Sequence, residues 1–168
     1  MRIVAGEFKG RKLKPPPLPA RATEGRIREA WFNILAGDVP GATIVDLFAG
    51  SGALGLEALS RGARHATLVE RSRKSLRSLR ANIVALGVEG QTSVIMSDVF
   101  GYLESLPSMA DIAFADPPFD GDDAVKLVDA FRTRPFARIL VVEHSGAIQV
   151  SGDDHRRYGD VALTFCYL

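Results

Sequence analysis

The sequence of 168 residues contains a single cysteine, Cys166, so an intrachain disulfide and a cysteine-rich metal site are both excluded. We expect Cys166 to be a small buried apolar side chain rather than a nucleophile. No apolar run approaches the roughly 20 residues of a membrane-spanning helix, and residues 1–7 lack the apolar region of a secretory signal. These absences predict a soluble cytoplasmic protein without a membrane partner or a bound metal.

Charge is distributed unevenly along the chain, although the net charge is only +1. Residues 1–28 carry eight basic side chains against two acidic ones, whereas residues 29–168 carry 13 basic and 18 acidic side chains. A basic arm on an acidic body is typical of proteins that bind polyanions, although a solvated tail has the same composition. Prolines at 15–17 and 19 exclude a helix there. We therefore expect residues 1–22 to form a basic extension of short extended pieces outside the core, and residues 23–168 to form one domain.

From residue 43 onwards, apolar strand-like segments alternate with amphipathic helical segments. This alternation predicts an α/β fold with a mostly parallel sheet, closed by an antiparallel C-terminal hairpin. The predicted strands are residues 43–47, 66–70, 92–96, 111–115 and 138–142, followed by hairpin strands at 156–158 and 161–167. The predicted helices are residues 24–35, 53–61, 73–86, 100–105 and 122–132, the first of them capped by Thr23.

A glycine-rich loop, Gly50-Ser51-Gly52, follows the first of these strands and opens a helix. Such a loop binds nucleotide-containing cofactors, because glycine lets the backbone approach the ligand and the helix N-terminus offers free N–H donors. Glu70 lies 20 residues after Gly50, at the end of the next strand, where it is placed to bind a ribose diol. On this pattern alone, a nicotinamide dinucleotide fits as well as S-adenosylmethionine.

Two carboxylates favour S-adenosylmethionine over a dinucleotide. Asp46 and Phe48 complete the pattern Asp-x-Phe-x-Gly-x-Gly, in which the carboxylate can receive the ammonium of a methionine moiety, directly or through water, and would repel a pyrophosphate. Asp98 ends the third strand and can bind the adenine amino group, although an aspartate there also caps helices. The predicted cofactor-binding residues are Asp46, Phe48, Gly50, Ser51, Gly52, Glu70 and Asp98.

A second motif, Asp116-Pro117-Pro118-Phe119, follows an apolar strand and therefore falls at the same carboxyl edge of the sheet. An exocyclic amine on a heterocycle is a poor nucleophile because its lone pair is delocalised into the ring. If Asp116 and the Pro117 carbonyl accept hydrogen bonds from that amine, the nitrogen can direct its lone pair at a sulfonium methyl group. Phe119 would stack on the base. We predict Asp116, Pro117 and Phe119 as the catalytic residues, acting without a metal on an unpaired base.

These motifs resemble those of the RsmD-type bacterial 16S ribosomal RNA guanine-N2 methyltransferases. The resemblance covers nearly the whole chain and is most specific over residues 46–63 and in Asp116-Pro117-Pro118-Phe119. It also includes Gly10-Arg11-Lys12-Leu13, Arg26-Ile27-Arg28-Glu29-Ala30, Asn82 and Val142-Glu143-His144.

The resemblance implies a Rossmann-like class I methyltransferase fold and methylation of guanine N2 at position 966 of 16S ribosomal RNA. The substrate would be that RNA or a small-subunit assembly intermediate, and the protein would act as a monomer. The resemblance also implies that the basic N-terminal arm engages RNA. The residues predicted to bind RNA are Arg2, Lys9, Arg11, Lys12, Arg21, Arg26 and Arg28.

Three other functions fit part of the same pattern. The wider Asn/Asp-Pro-Pro-aromatic motif also serves adenine N6 or a glutamine side chain, although the basic arm argues against a protein substrate. A nicotinamide dehydrogenase and a non-catalytic RNA-binding module with this fold are the remaining alternatives. His144 follows Glu143 near the predicted active edge, and we expect it to be a structural histidine.

Overall fold

Five segments form parallel strands side by side, with one of them at an edge, in one seven-stranded sheet of the computed structural model, which describes residues 1–19 and 24–168. These strands are β1 (Thr43–Asp46), β2 (His65–Val69), β3 (Thr92–Ile95), β4 (Ala110–Ala115) and β5 (Ala137–Ser145). Two further strands, β6 (Asp154–Tyr158) and β7 (Val161–Tyr167), pair antiparallel at one side. The predicted Rossmann-like α/β fold, mostly parallel with an antiparallel C-terminal strand, is confirmed.

The strand order, β3-β2-β1-β4-β5-β7-β6, reverses direction at β1. The chain builds outward from β1 to β3 and then returns to place β4 on the other side of β1. The carboxyl ends of β1 and β4 therefore lie side by side, with Asp46 opposite Phe114. Open α/β sheets bind ligands at such a switch point, outside the carboxyl ends of the strands.

Helices cover both faces of the sheet. They are α1 (Gly25–Ile34), α2 (Ala53–Ser60), α3 (Arg73–Leu86), α4 (Val99–Glu104) and α5 (Asp123–Thr133), with a short 3₁₀ helix at Glu89–Gln91. Because side chains alternate along a strand, Phe114 of β4 packs with α1, α2 and α3, whereas Ala113 packs with α4 and α5. The rings of Trp31 and Phe32 meet Phe114 edge-on, at centroid distances of 5.4 and 5.5 Å.

The element boundaries agree with the sequence prediction where local signals are strong. Helix α3 has its predicted limits, because the Ser72 hydroxyl caps its start and Gly87, at φ +68°, ends it. Strand β5 is longer than predicted at both ends, since its pairing with β4 begins at Ala137 and its pairing with β7 extends as far as Ser145. Helix α1 begins at Gly25 with Glu24 in the cap position, and the predicted cap, Thr23, lies outside the described residues.

Cys166 and His144, whose side chains could in principle react, both have structural roles in the fold. Cys166 is buried, as predicted, and burial raises the pKa of its thiol. His144 is also structural, since its two ring nitrogens lie 2.9 Å from the Ser145 carbonyl and 2.8 Å from the Thr164 hydroxyl. Within residues 1–19 and 24–168, no helix is long and apolar enough to cross a membrane. The same residues include no group of three or more histidine, cysteine, aspartate or glutamate side chains suited to a metal.

The N-terminal segment packs against the helices more closely than its composition predicts. Ile3 and Leu13 belong to the hydrophobic core, so the expectation that this segment lies outside the core is wrong at these two positions. Arg2 and Lys12 form an isolated antiparallel bridge that closes the segment on itself. At Gly6, φ is +85° and a Cβ would lie 1.9 Å from the Ser60 carbonyl oxygen, so only glycine permits this approach to α2.

A fully buried carboxylate, that of Glu57 on α2, holds the N-terminal segment in place. Its two oxygens accept hydrogen bonds from the backbone amides of Val4 and Ala5, at 2.8 and 3.0 Å. Two guanidinium groups balance its charge, with the Arg61 Nε at 2.9 Å and the Arg28 Nε at 3.5 Å. The charge of Glu57 is thus satisfied only while the segment and both arginines remain in place.

Glu57→Gln should destabilise the protein by about 3–5 kcal/mol, because it leaves Arg28 buried without its counter-charge. Urea unfolding followed by circular dichroism measures this change. Asp154→Asn is the control, since it removes a half-exposed ion pair with Arg156 and should change the free energy of unfolding by about 1 kcal/mol or less. Equal effects of the two substitutions would show that Glu57 does not anchor the segment.

Candidate functional site

A cavity of about 780 Å³ opens at the carboxyl edge of the sheet, around the switch point between β1 and β4. This volume lies in the range of ligand-binding sites. Residues that follow four neighbouring strands line it: Phe48 after β1, Glu70 after β2, Asp98 after β3 and Asp116 after β4. The structure therefore brings together the two motifs that are 64 residues or more apart in the sequence.

Asp46, the last residue of β1, is 1% exposed and does not itself form the wall of the cavity. Its Oδ2 accepts a hydrogen bond from the Gly55 amide at 3.1 Å, and its Oδ1 has no hydrogen-bond partner among the described residues. The pKa of this carboxyl is raised to about 7, mainly by burial and also by the charges of Asp116 and Glu70, against the lowering effect of the backbone amides of Gly55 and Phe48. A buried acceptor of this kind fits a cationic donor such as an ammonium group.

The glycine loop divides into a residue that faces the cavity and two that support it. Gly50 lines the cavity, and at φ +55° a Cβ built there would meet no atom within 4 Å. Ser51 and Gly52 are buried and do not form the wall. At Gly52, where φ is +91°, a Cβ would lie 2.6 Å from the Leu79 side chain. Gly52 is therefore required by packing against α3, whereas the open space beside Gly50 is available to a ligand.

Glu70 joins the glycine loop to the start of α3. Its Oε2 accepts a hydrogen bond from the Gly50 amide at 2.8 Å, and its Oε1 accepts one from the Ser72 amide at 2.6 Å. Each carboxylate oxygen can accept a further hydrogen bond, so Glu70 can hold the loop and receive a ligand hydroxyl at the same time.

Asp98 serves as a helix cap and also lines the cavity. Its Oδ2 accepts a hydrogen bond from the Gly101 amide at 3.0 Å, at the N-terminus of α4. The two interpretations that the sequence left open, a cap and a cavity residue, are therefore compatible, because the capped side chain borders the cavity.

Another part of the cavity wall comes directly after β4 and consists of Asp116, Pro117, Pro118 and Phe119. Phe119 is partly buried and packs against the core with part of its ring, which fixes the ring in position. Asp116 is close enough to Asp46 for its charge to affect the pKa of the Asp46 carboxyl. The carboxylate predicted to bind the target amine thus lies near the carboxylate predicted to bind the cofactor.

Sequence analysis missed several residues of the cavity wall. Arg71 lies just before α3, Lys74 is in the first turn of α3, and Lys126 comes from α5. Residues 17–19 of the N-terminal segment also line the cavity, and the side chain of Leu18 is 91% exposed there. The proline run predicted the extended conformation of these residues, but their position over the cavity depends on the docking of the whole segment.

The residues predicted to bind RNA separate into three groups. Arg2, Lys9, Arg11, Lys12 and Arg26 are exposed. Arg21 lies outside the described residues. The prediction is wrong for Arg28, whose side chain is 3% exposed and donates a hydrogen bond to the Arg2 carbonyl at 2.6 Å beside Glu57. A guanidinium buried in this way is not available to a phosphate.

Asp46→Asn should remove a pH dependence of stability from the ligand-free protein. The pKa of the Asp46 carboxyl is about 7 in the folded state against 3.8 ordinarily, so between these values only the folded protein keeps this proton. The free energy of unfolding of the wild type should therefore fall, relative to the variant, as pH rises from about 4 to about 7, by at most about 1.4 kcal/mol per pH unit. Above about pH 7 the difference should be constant. Urea unfolding at pH 5, 6, 7 and 8 tests this, and parallel profiles for both proteins would contradict it.

The sequence of this chain matches a known protein family over nearly its whole length. The family model described as conserved hypothetical protein 95 matches residues 1–165. The chain is similar to ribosomal RNA small subunit methyltransferase D of Escherichia coli, at 44% identity over 120 residues, which span 71% of this chain and 60% of that protein.

Two solved structures resemble the chain over almost its full length. A hypothetical protein of Thermus thermophilus has a TM-score of 0.90 at 30% identity, covering 100% of this chain and 99% of that one. The Escherichia coli protein yhhF has a TM-score of 0.85 at 35% identity, covering 98% of this chain and 96% of that one. With a family model that spans nearly every residue and a shared fold, the chain belongs to the RsmD family, as the sequence predicted.

Proposed function

We propose that this protein transfers a methyl group from S-adenosylmethionine to the exocyclic N2 of a guanine in 16S ribosomal RNA. The observation that carries the proposal is the cavity itself, whose wall includes Gly50 of the glycine loop together with Asp116 and Phe119, while the buried Asp46 is close enough to Asp116 for the two charges to interact. The name of the Escherichia coli relative, a small subunit ribosomal RNA methyltransferase, supports the same substrate class. Guanine N2, and position 966 in particular, rest on the resemblance of the motifs.

S-adenosylmethionine fits the residues on the β1 side of the cavity. The unpartnered Oδ1 of Asp46 suits the ammonium of the methionine moiety, which would favour the ionised carboxylate and so lower its pKa. Phe48 and Gly50 border the same region, Glu70 is placed for the ribose hydroxyls, and Asp98 for the adenine amine. Three acidic side chains in this region disfavour a pyrophosphate, so a nicotinamide dinucleotide fits poorly.

On the β4 side, Asp116 and the Pro117 carbonyl accept hydrogen bonds from the two hydrogens of the target amine. When bound, S-adenosylmethionine supplies an electrophilic methyl group on sulfur, whose bond to sulfur breaks as the bond to nitrogen forms. The amine carries a positive charge as this happens and loses one proton, which the Asp116 carboxylate is placed to accept. The proton then passes to water. Phe119 stacks on the base and keeps its amine in line with the methyl group.

The exposed basic residues of the N-terminal segment, together with Arg26, bind phosphates of the RNA. A base that is paired inside a duplex cannot enter a cavity in the protein, so the target guanine is unpaired or flipped out of its helix. The substrate is 16S ribosomal RNA or a small-subunit assembly intermediate that contains it, and the protein acts as a monomer in the cytoplasm.

The direct test is incubation of the protein with methyl-labelled S-adenosylmethionine and unmodified 16S ribosomal RNA, followed by nucleoside analysis. Label in N2-methylguanosine supports the proposal. Label in N6-methyladenosine would show that the enzyme methylates a different planar amine. If the protein binds the RNA but transfers no label, it is a non-catalytic RNA-binding module.

Asp116→Ala should abolish methyl transfer, because the target amine loses a hydrogen-bond acceptor and its proton acceptor. Single-turnover kinetics with saturating RNA and cofactor measure the loss. Cofactor affinity, measured by calorimetry, should be retained, since the predicted cofactor contacts are on the β1 side. Normal turnover in this variant would refute the mechanism.

Phe119→Leu should lower kcat/KM for RNA by about five-fold to 150-fold, corresponding to a stacking energy of about 1–3 kcal/mol per base. Phe119→Tyr is the matched control, because it preserves an aromatic ring of the same shape and should retain most of the activity. If the leucine variant instead lost cofactor affinity, the ring would belong to the cofactor side of the cavity.

A further inference from the structure

Helix α3 presents an exposed surface that carries only positive charge. Its sequence contains four basic residues and no acidic residue. Arg73, Arg77 and Arg80 are spaced four and three residues apart, which places them on one side of the helix, and all three are exposed. Lys74, also exposed, borders the cavity. These four residues are called the α3 basic face.

The charges of the α3 basic face are not explained by the stability of the helix. Within residues 1–19 and 24–168, none of the four side chains forms an ion pair. Arg73 and Lys74 occupy the first turn, where a positive charge opposes the helix dipole. Arg73 and Arg77 have the i, i+4 spacing at which like charges destabilise a helix. A surface with this arrangement is stabilised by an anionic partner.

The N-terminal segment is fastened along the same helix and adds its own basic residues. The Asn82 side chain is 2% exposed; its Oδ1 accepts a hydrogen bond from the Lys14 amide at 2.7 Å, and its Nδ2 donates to the Lys14 carbonyl at 2.9 Å. The Arg11 guanidinium donates to the Ala85 carbonyl in the last turn of α3. Lys12 and Lys14 are exposed beside these contacts, so the segment lies along the flank of α3 that carries Asn82, about half a turn around the helix from Arg73 and Arg80.

The α3 basic face reaches the cavity at the N-terminal end of the helix, where Lys74 lines the cavity. Helix α3 has 14 residues and is therefore about 21 Å long. Its C-terminal turn contacts Arg11, whereas Ser72, Lys74 and Ser75 at its other end line the cavity. Asn82 also donates a hydrogen bond to the Ser51 carbonyl at 2.9 Å, so the same side chain connects the N-terminal segment to the glycine loop.

We propose that the α3 basic face binds the phosphate backbone of the RNA next to the cavity. This inference rests on the proposed function, because it takes the occupant of the cavity to be an RNA base. Arginine binds phosphates through its planar guanidinium, which agrees with the predominance of arginine on this face. The face positions the strand without reading its sequence.

The double variant R77Q/R80Q tests the proposal. Neither residue lines the cavity, and glutamine preserves the helix propensity. Binding of unmodified 16S ribosomal RNA is measured over a range of salt concentrations. The slope of log Kd against log salt should fall by about 2, since each phosphate that is no longer neutralised lowers it by about 0.9. The KM for RNA should rise while kcat at saturating RNA and the affinity for S-adenosylmethionine stay unchanged.

The matched control is R64Q/R138Q, which removes the same charge from two exposed arginines at the start of β2 and of β5, at the opposite edge of the sheet from the cavity. It should leave the salt slope near the wild-type value. A third variant, R11A/K12A, tests the N-terminal segment by itself and should also lower the slope by about 2.

The outcomes separate this inference from the function on which it rests. If the wild type neither binds nor methylates the RNA, the proposed function fails. If the wild type and R11A/K12A behave as expected but R77Q/R80Q matches the control, the function stands and α3 does not contact RNA. A fall in kcat of R77Q/R80Q without a change in slope would also overturn the inference, because it would indicate a structural role.

Discussion

The hydrogen bond from the Gly55 amide to the Asp46 carboxylate holds α2 against the end of β1, and the glycine loop between them depends on this placement. At Gly55 a Cβ would lie 2.3 Å from the Leu68 side chain, so the helix approaches the sheet as closely as the backbone allows. The same helix carries Glu57, whose buried carboxylate holds the N-terminal segment. This contact therefore positions the glycine loop and, through α2, the N-terminal segment, whose residues 17–19 line the cavity.

The carboxylates at the strand ends are unfavourable for the ligand-free protein. Asp46 is buried with one oxygen unpartnered, and the charges of Asp116 and Glu70 oppose its ionisation. Removing such a charge commonly stabilises a protein at the expense of function. The arrangement is favourable only when a positively charged ligand occupies the region, which is why it supports a cofactor with an ammonium and a sulfonium.

Positive charge, by contrast, lies on the outside of the molecule, on the N-terminal segment and on α3. The exposed basic residues of the N-terminal segment adjoin α3, whereas Arg28 is buried as the partner of Glu57. Composition counts all of these residues equally, but their surroundings give them different roles. A polyanion would therefore meet a basic surface that ends at a cavity lined by acidic groups.

Local sequence signals alone determined the elements and the two motifs. The limits of α3 follow from its apolar spacing with Ser72 and Gly87 at its ends, and the positions of Asp46, Glu70, Asp98 and Asp116 follow from the ends of apolar strands. Tertiary structure decided what depends on contacts distant in sequence. Pairing with β7 set the length of β5, close packing against Leu79 explains Gly52, and Asn82 joins Lys14 across 68 residues. No local pattern encodes such contacts, because each requires two segments that come together only when the sheet and its helices have assembled.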